Sequence, residues 1–174
     1  NAERPDADKA RDADRKPAEV MAFAGIKPGL KVIELAPGGG YYTRLLSLAL
    51  GPKCKLYPRG GRISPAVEER AKGHDNTAPA VSSPDAALAP EPVDLVWTTL
   101  NYHDFKNAKV GDGDGAAAYN KAAFAALKPG GVYLVSDHQA AKGAGASQTS
   151  TLHRIEDAVV IAEVEAAGFR FEAR

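Results

Sequence analysis

The chain has 174 residues, 44% hydrophobic, 25% charged and 7% aromatic, a composition that excludes a disordered chain, a collagen-like repeat and a disulfide-stapled miniprotein. Lys+Arg and Asp+Glu each number 22, so the formal net charge is zero; the basic excess of a protein that tracks phosphate backbones is missing, and no nucleic-acid partner is expected. The longest apolar run spans residues 20–26, well short of the about 20 residues that cross a bilayer, and no membrane partner is expected.

The chain starts at Asn1 rather than Met, which fits a cleaved signal peptide and a periplasmic or secreted protein, with a trimmed cytoplasmic chain as the alternative. Residues 1–20 carry six acids and five bases. Arg4–Asp8, Asp12–Lys16 and Arg15–Glu19 stand four apart, which predicts ion pairs along a solvated helix. Residues 1–16 therefore read as a charged helical arm over the domain, and residues 17–174 as that domain. Pro17 suits the first position of a helix that Gly25 closes.

From residue 31 the pattern alternates. A strand over 31–35 runs into Ala36-Pro37-Gly38-Gly39-Gly40 and then a helix through Tyr42, Leu45, Leu46 and Ala49. A second strand fits 55–57, a helix opens at Ser64-Pro65, and a weak strand fits 80–82. Residues 93–100 form the clearest strand, followed by a Gly/Asp-rich loop at 111–115 and an Ala-rich helix over 116–127. Leu127-Lys128-Pro129-Gly130-Gly131 breaks that helix before a strand at 132–136. A helix over 152–167 ends at Gly168, and a last strand starts at 169–171. Near-continuous apolar strands alternating with helices predict a parallel sheet covered on both faces. Cys54 is the single cysteine and allows no intrachain disulfide.

A strand, a glycine-rich turn and a helix aim several backbone N–H groups at one point, which suits an anionic or polar ligand. The alternative is a tight turn with no ligand. The dinucleotide pattern G-x-G-x-x-G fails, because the position of its third glycine is Thr43. The spacing acidic-x-G-x-G-x-G reads Glu34-Leu35-Ala36-Pro37-Gly38-Gly39-Gly40, with only its first glycine replaced, by Ala36.

On the turn at 32–43, Pro84-Asp85-Ala86 ahead of the strand at 93–99, Leu-Lys-Pro-Gly-Gly at 127–131 and the segment 152–171, the chain resembles the class I S-adenosylmethionine-dependent methyltransferases. Within them it is most similar to a poorly characterised bacterial family of predicted, often exported methyltransferases. The resemblance implies an α/β, Rossmann-like three-layer sandwich with a mostly parallel seven-stranded sheet, its last strand lying beyond residue 174 or absent. It implies S-adenosylmethionine as cofactor and a small molecule as methyl acceptor. Glu34, Ala36 and Gly38–Gly40 would lie beside the methionine part of the cofactor, with Tyr42 and Asn101 also on it. Asp85 falls where such enzymes place a polar contact to adenine; it reads equally well as a turn acid after Pro84. These enzymes usually hold the ribose hydroxyls with an acid ending the second strand. Here that end is Tyr57-Pro58-Arg59-Gly60, and an arginine suits a phosphorylated ribose instead.

Candidate chemistry lies at the ends of the fourth and fifth strands, where Asn101-Tyr102-His103-Asp104 and Asp137-His138 would meet. His103 or His138 suits a general base oriented by a carboxylate, with Asp104 beside it; each also suits a strand cap. His153, at a helix start, reads as structural. Two His and two Asp are also metal-ligand types, but none has the short fixed spacing of a zinc site, and no metal is expected. The leading expectation is a methyltransferase. A ligand-binding protein of that fold without catalysis and an NADP-linked oxidoreductase are the alternatives.

Overall fold

A computed structural model describes residues 3–174. The chain divides into two units, one ending at Val81 and the other spanning Ser82–Arg174.

The first unit begins with three short helices, α1 (Asp6–Lys9), α2 (Asp12–Arg15) and α3 (Pro17–Phe23). Lys16 takes a left-handed conformation (φ 43°) where the chain meets Pro17 and cannot continue α2 as a right-handed helix. The break folds the arm back, so the pairs expected four residues apart are replaced. Arg4 grips Asp12 through two hydrogen bonds of 2.6 and 2.7 Å, and Asp8 accepts from Arg44 Nε at 2.6 Å. Arg4 and Asp8 are buried, which a solvated helix face would not allow.

Beneath the arm, β1 (Lys31–Leu35), α4 (Tyr41–Leu50), β2 (Lys55–Gly60), α5 (Pro65–Lys72) and β3 (Ala80–Val81) alternate. β1 pairs in parallel with β2, Val32 opposite Leu56 and Leu35 opposite Arg59, and β2 pairs in parallel with β3. Val32, Ile33, Leu46, Leu50, Leu56 and Val67 form the core, each essentially out of solvent. β2 continues past the expected 55–57 through Pro58, because Ala36 N–H donates to the Arg59 carbonyl and holds that end in the ladder.

The second unit runs β4 (Val93–Thr99), α6 (Tyr102–Asn107), β5 (Lys109–Val110), β6 (Gly113–Asp114), α7 (Gly115–Ala126), β7 (Leu127–Ser136) and α8 (Asp157–Ala166). β4 and β7 pair in parallel, Trp97 opposite Leu134 and Thr99 opposite Ser136, and Trp97 is fully buried. The β5–β6 ribbon stands in the expected Gly/Asp-rich loop, and Asp114 caps α7 by accepting from Ala117 N–H.

Four expectations change here. Residues 127–131 belong to β7 rather than preceding it: the register jumps from Val93–Leu127 to Leu95–Val132, so Lys-Pro-Gly-Gly forms an irregular bulge. A Cβ at Gly131 would stand 3.1 Å from the Asp94 carbonyl oxygen, which is why glycine fits there. α8 starts at Asp157, not 152, because Ile155 is drawn into extended pairing, donating to His138 O and accepting from Ala140 N–H. Residues 169–171 form no strand; Phe169 packs instead on Phe124 and Tyr133, with ring centroids 5.1 and 5.3 Å away. Among the described residues the strands in parallel pairs number five, β1–β3, β4 and β7, against the seven expected. Among the same residues no helix is long and apolar enough to cross a membrane.

Candidate functional site

In the first unit the turn between β1 and α4 is built from strained and open backbone. Ala36 has φ 52°, Gly38 φ 54° and Gly40 φ 79°, all left-handed. Ala36 thus holds the conformation that the first glycine of the motif would supply, at a cost of roughly 1–2 kcal/mol for its Cβ. Gly40 N–H closes the turn on the Pro37 carbonyl at 2.9 Å. Gly38 and Gly39 are exposed, and a Cβ on either would meet no protein atom within 4 Å. Gly40 differs: its Cβ would stand 3.0 Å from Arg44 Nη1 and 3.1 Å from Val67 Cγ2. Gly40, at the N-cap of the ten-residue helix α4 that follows, brings no side chain, and within the first turn the Glu34 carboxylate takes the Thr43 N–H. The other first-turn N–H groups of α4 and its dipole therefore favour a negatively charged or polar group at the exposed turn.

Glu34, on β1, is buried and accepts a 2.6 Å hydrogen bond from Thr43 Oγ1. Burial pushes its carboxyl up to about 7, against the opposing pull of the Thr43 hydroxyl and the Arg44 charge. Tyr42 is buried with its hydroxyl 3.4 Å from the Arg15 carbonyl, and its ring meets Tyr41 edge-on. Tyr41 donates to Asp12 at 2.5 Å. Both tyrosines thus engage the arm. Arg59, at the end of β2, is buried; it donates to the carbonyls of Pro58 (2.9 Å) and Ala78 (2.6 Å) and lies over the Tyr57 ring.

In the second unit the parallel pairing of Thr99 with Ser136 brings the residues that follow the two strands together. Leu100 turns left-handed (φ 59°) and donates to the Ser136 carbonyl, starting α6. α6 carries His103, whose Nδ1 lies 2.8 and 2.9 Å from the two carboxylate oxygens of Asp137. His103 N–H also donates to Asp137 at 2.8 Å, as does His138 N–H. A carboxylate only accepts, so Nδ1 donates its proton there, and the tautomer this selects has its lone pair on Nε2. Nε2 lies 3.5 Å from Asp104 Oδ1. α6 is fixed from behind: Tyr102 donates to Glu163 and accepts from Asn120, and Lys106 pairs with Asp114 and Glu163.

The structure therefore joins His103, Asp104 and Asp137. His138 is exposed and enters the cluster through its backbone N–H. Asn101 donates its amide to the Thr99 carbonyl at 2.6 Å, and its own carbonyl accepts from Asp104 and Phe105. Asp85 sits exposed on a turn closed by Ala86 N–H and the Ser83 carbonyl. Asp137, expected with His138 one position past a strand, supplies the carboxylate that orients the His103 ring. His153, read as structural, joins the cluster with no sequence signal: a left-handed loop residue (φ 53°), it brings its ring to 5.1 Å from that of His103.

Comparison with solved structures shows the fold. A SAM-dependent methyltransferase from Aquifex aeolicus superposes with a TM-score of 0.69 at 21% identity, covering 88% of this chain and 79% of that one. A candidate methyltransferase from Bacillus halodurans gives 0.69 at 19%, covering 90% and 70%. The cyclase SpnF gives 0.64 at 15%, covering 90% of this chain and 56% of its own. No protein-family model and no curated protein matches the sequence. At these identities the likeness establishes a Rossmann-like α/β fold of the kind SAM-dependent methyltransferases have.

Proposed function

We propose that the chain is an S-adenosylmethionine-dependent methyltransferase acting on a small-molecule acceptor. The observation that carries this reading is the exposed Gly38–Gly39 backbone just ahead of α4, open where a side chain would block a ligand. Gly38 and Gly39 would hold the methionine end of the cofactor, with Ala36 and Gly40 setting the turn and Glu34 fixing its underside through Thr43. Asp85 and Asn101 are the candidates for further polar contacts, and Tyr42 supports the turn from its buried face. When bound, the cofactor supplies an electrophilic methyl group on a sulfonium sulfur. In the second unit, His103 Nε2 takes a proton from an acceptor hydroxyl, amine or thiol. Asp137 holds the ring in the required tautomer, and Asp104 favours the imidazolium that results. His138 is the alternative base, reached from solvent.

The end of β2 supports a second reading, a ligand-binding protein of this fold without catalysis. The residues that end β2, Tyr57-Pro58-Arg59-Gly60, supply no carboxylate for the ribose hydroxyls. Arg59 does not favour NADP in compensation, since its guanidinium is buried against carbonyls of its own unit. A thermal-denaturation series tests the readings. S-adenosylhomocysteine at one hundred times its Kd should stabilise the protein by about 2.7 kcal/mol, and NADP should not. Stabilisation by NADP alone would overturn the proposal; stabilisation by S-adenosylhomocysteine with no methyl transfer to any nucleophile offered favours the second reading.

A further inference from the structure

We infer that His103, Asp104 and His153 form a binding site for a divalent transition metal of the zinc type. The three offer one nitrogen or oxygen each, all within 4.8 Å of one another. Asp104 Oδ1 lies 3.5 Å from His103 Nε2 and 3.8 Å from His153 Nδ1. Tetrahedral ligands at the usual zinc distances stand about 3.4 Å apart, so closing the set takes a small rotation of two exposed side chains. The buried member is already oriented. His103 donates its Nδ1–H to Asp137, which leaves Nε2 facing Asp104, the outer-shell arrangement that metal-ligating histidines nearly always show.

Charge points the same way. The cluster holds two carboxylates, Asp104 and Asp137, and among the described residues their ion-pair partners are histidines, with no Lys or Arg. With neutral imidazoles the group carries two negative charges, which a divalent cation offsets. Two imidazoles and one carboxylate suit zinc, cobalt, nickel or iron rather than calcium or magnesium, which prefer oxygen. His153 is held left-handed, a conformation that costs a non-glycine residue and recurs where loops clamp ligands. Three protein ligands leave a fourth position, and the exposure of Asp104 and His153 opens it to water or a substrate atom. One nitrogen cannot bind a metal and accept a proton together, so metal-bound and proton-accepting His103 are alternative states. The inference rests on the cluster alone and is independent of methyl transfer.

Zinc titrated by calorimetry into the metal-stripped, untagged chain should show one site. His153→Ala and Asp104→Asn should each weaken its Kd at least about tenfold, a loss no smaller than that from outer-shell changes. Both side chains are more than half exposed, at 63% and 57%, so both variants should melt as the wild type does. Absence of a single site in the wild type would overturn the inference. Unchanged affinity in His153→Ala would do the same, by showing that the metal binds elsewhere.

Discussion

Glu34 is an acid whose ionisation the fold opposes. Its folded-state value of about 7 lies above the ordinary value of 4.5, so between those pH values the folded chain binds more protons than the unfolded one. Stability is therefore greatest below the unfolded value and declines as pH rises to about 7, by on the order of 3 kcal/mol. Glu34→Gln keeps an oxygen for Thr43 and removes the charge. Urea melts at pH 5 and pH 8 should show a drop for the wild type and none for the variant. Arg59 is likewise a charged group held inside the fold. A glutamate there would set a buried carboxylate against the Ala78 and Pro58 carbonyls and forfeit two hydrogen bonds from a charged donor, costing about 3 kcal/mol. A thermal melt of Arg59→Glu that matches the wild type would show that the guanidinium is dispensable to the fold and free to serve a ribose.

At the scale of elements, the glycine turn separates residues the fold needs from residues a ligand needs. Gly40→Ala should destabilise by about 1–2 kcal/mol, because position 40 is left-handed and faces Arg44 and Val67. Gly39 has no positive φ and no protein neighbour for a Cβ, so Gly39→Ala should melt within about 0.5 kcal/mol of the wild type. The arm depends on Asp12, whose carboxyl the Arg4 guanidinium and the Tyr41 hydroxyl hold down at about 2. Those bonds are fully present above the ordinary value of 3.8 and are lost as pH falls through about 2, so the Tyr41 ring resonances should shift over that range. β1 and β4 were legible from their sequence because each is a short apolar run bounded by turn residues. α6 was not: six residues hold too little period to show a helix, and Leu100 enters it through a conformation that leucine does not advertise. The bulge in β7 was misread because Pro and Gly usually end a strand, whereas here pairing to Val93 resumes the ladder on their near side. The arm's partners escaped for a similar reason, since spacing within a helix predicts nothing about Arg44 or Tyr41 once Lys16 turns the chain.

At the scale of the whole molecule, the alternation of strand and helix carried the α/β reading, and the solved structures bear it out as a Rossmann-like fold. That fold alone does not choose a reaction, since a cyclase shares it with methyltransferases. The proposed choice rests on the glycine turn of the first unit; the His103–Asp137 pair is a feature of the second unit by itself. The pair was half legible, because adjacent parallel strands deliver their following residues together; His153 joins from a loop that no local pattern connects to them. Calorimetric titration of S-adenosylhomocysteine into the wild type and Gly39→Val tests the turn directly. One site is expected in the wild type, with loss of binding in a variant that still melts normally. Equal affinity in the two proteins would contradict the proposed role of the turn.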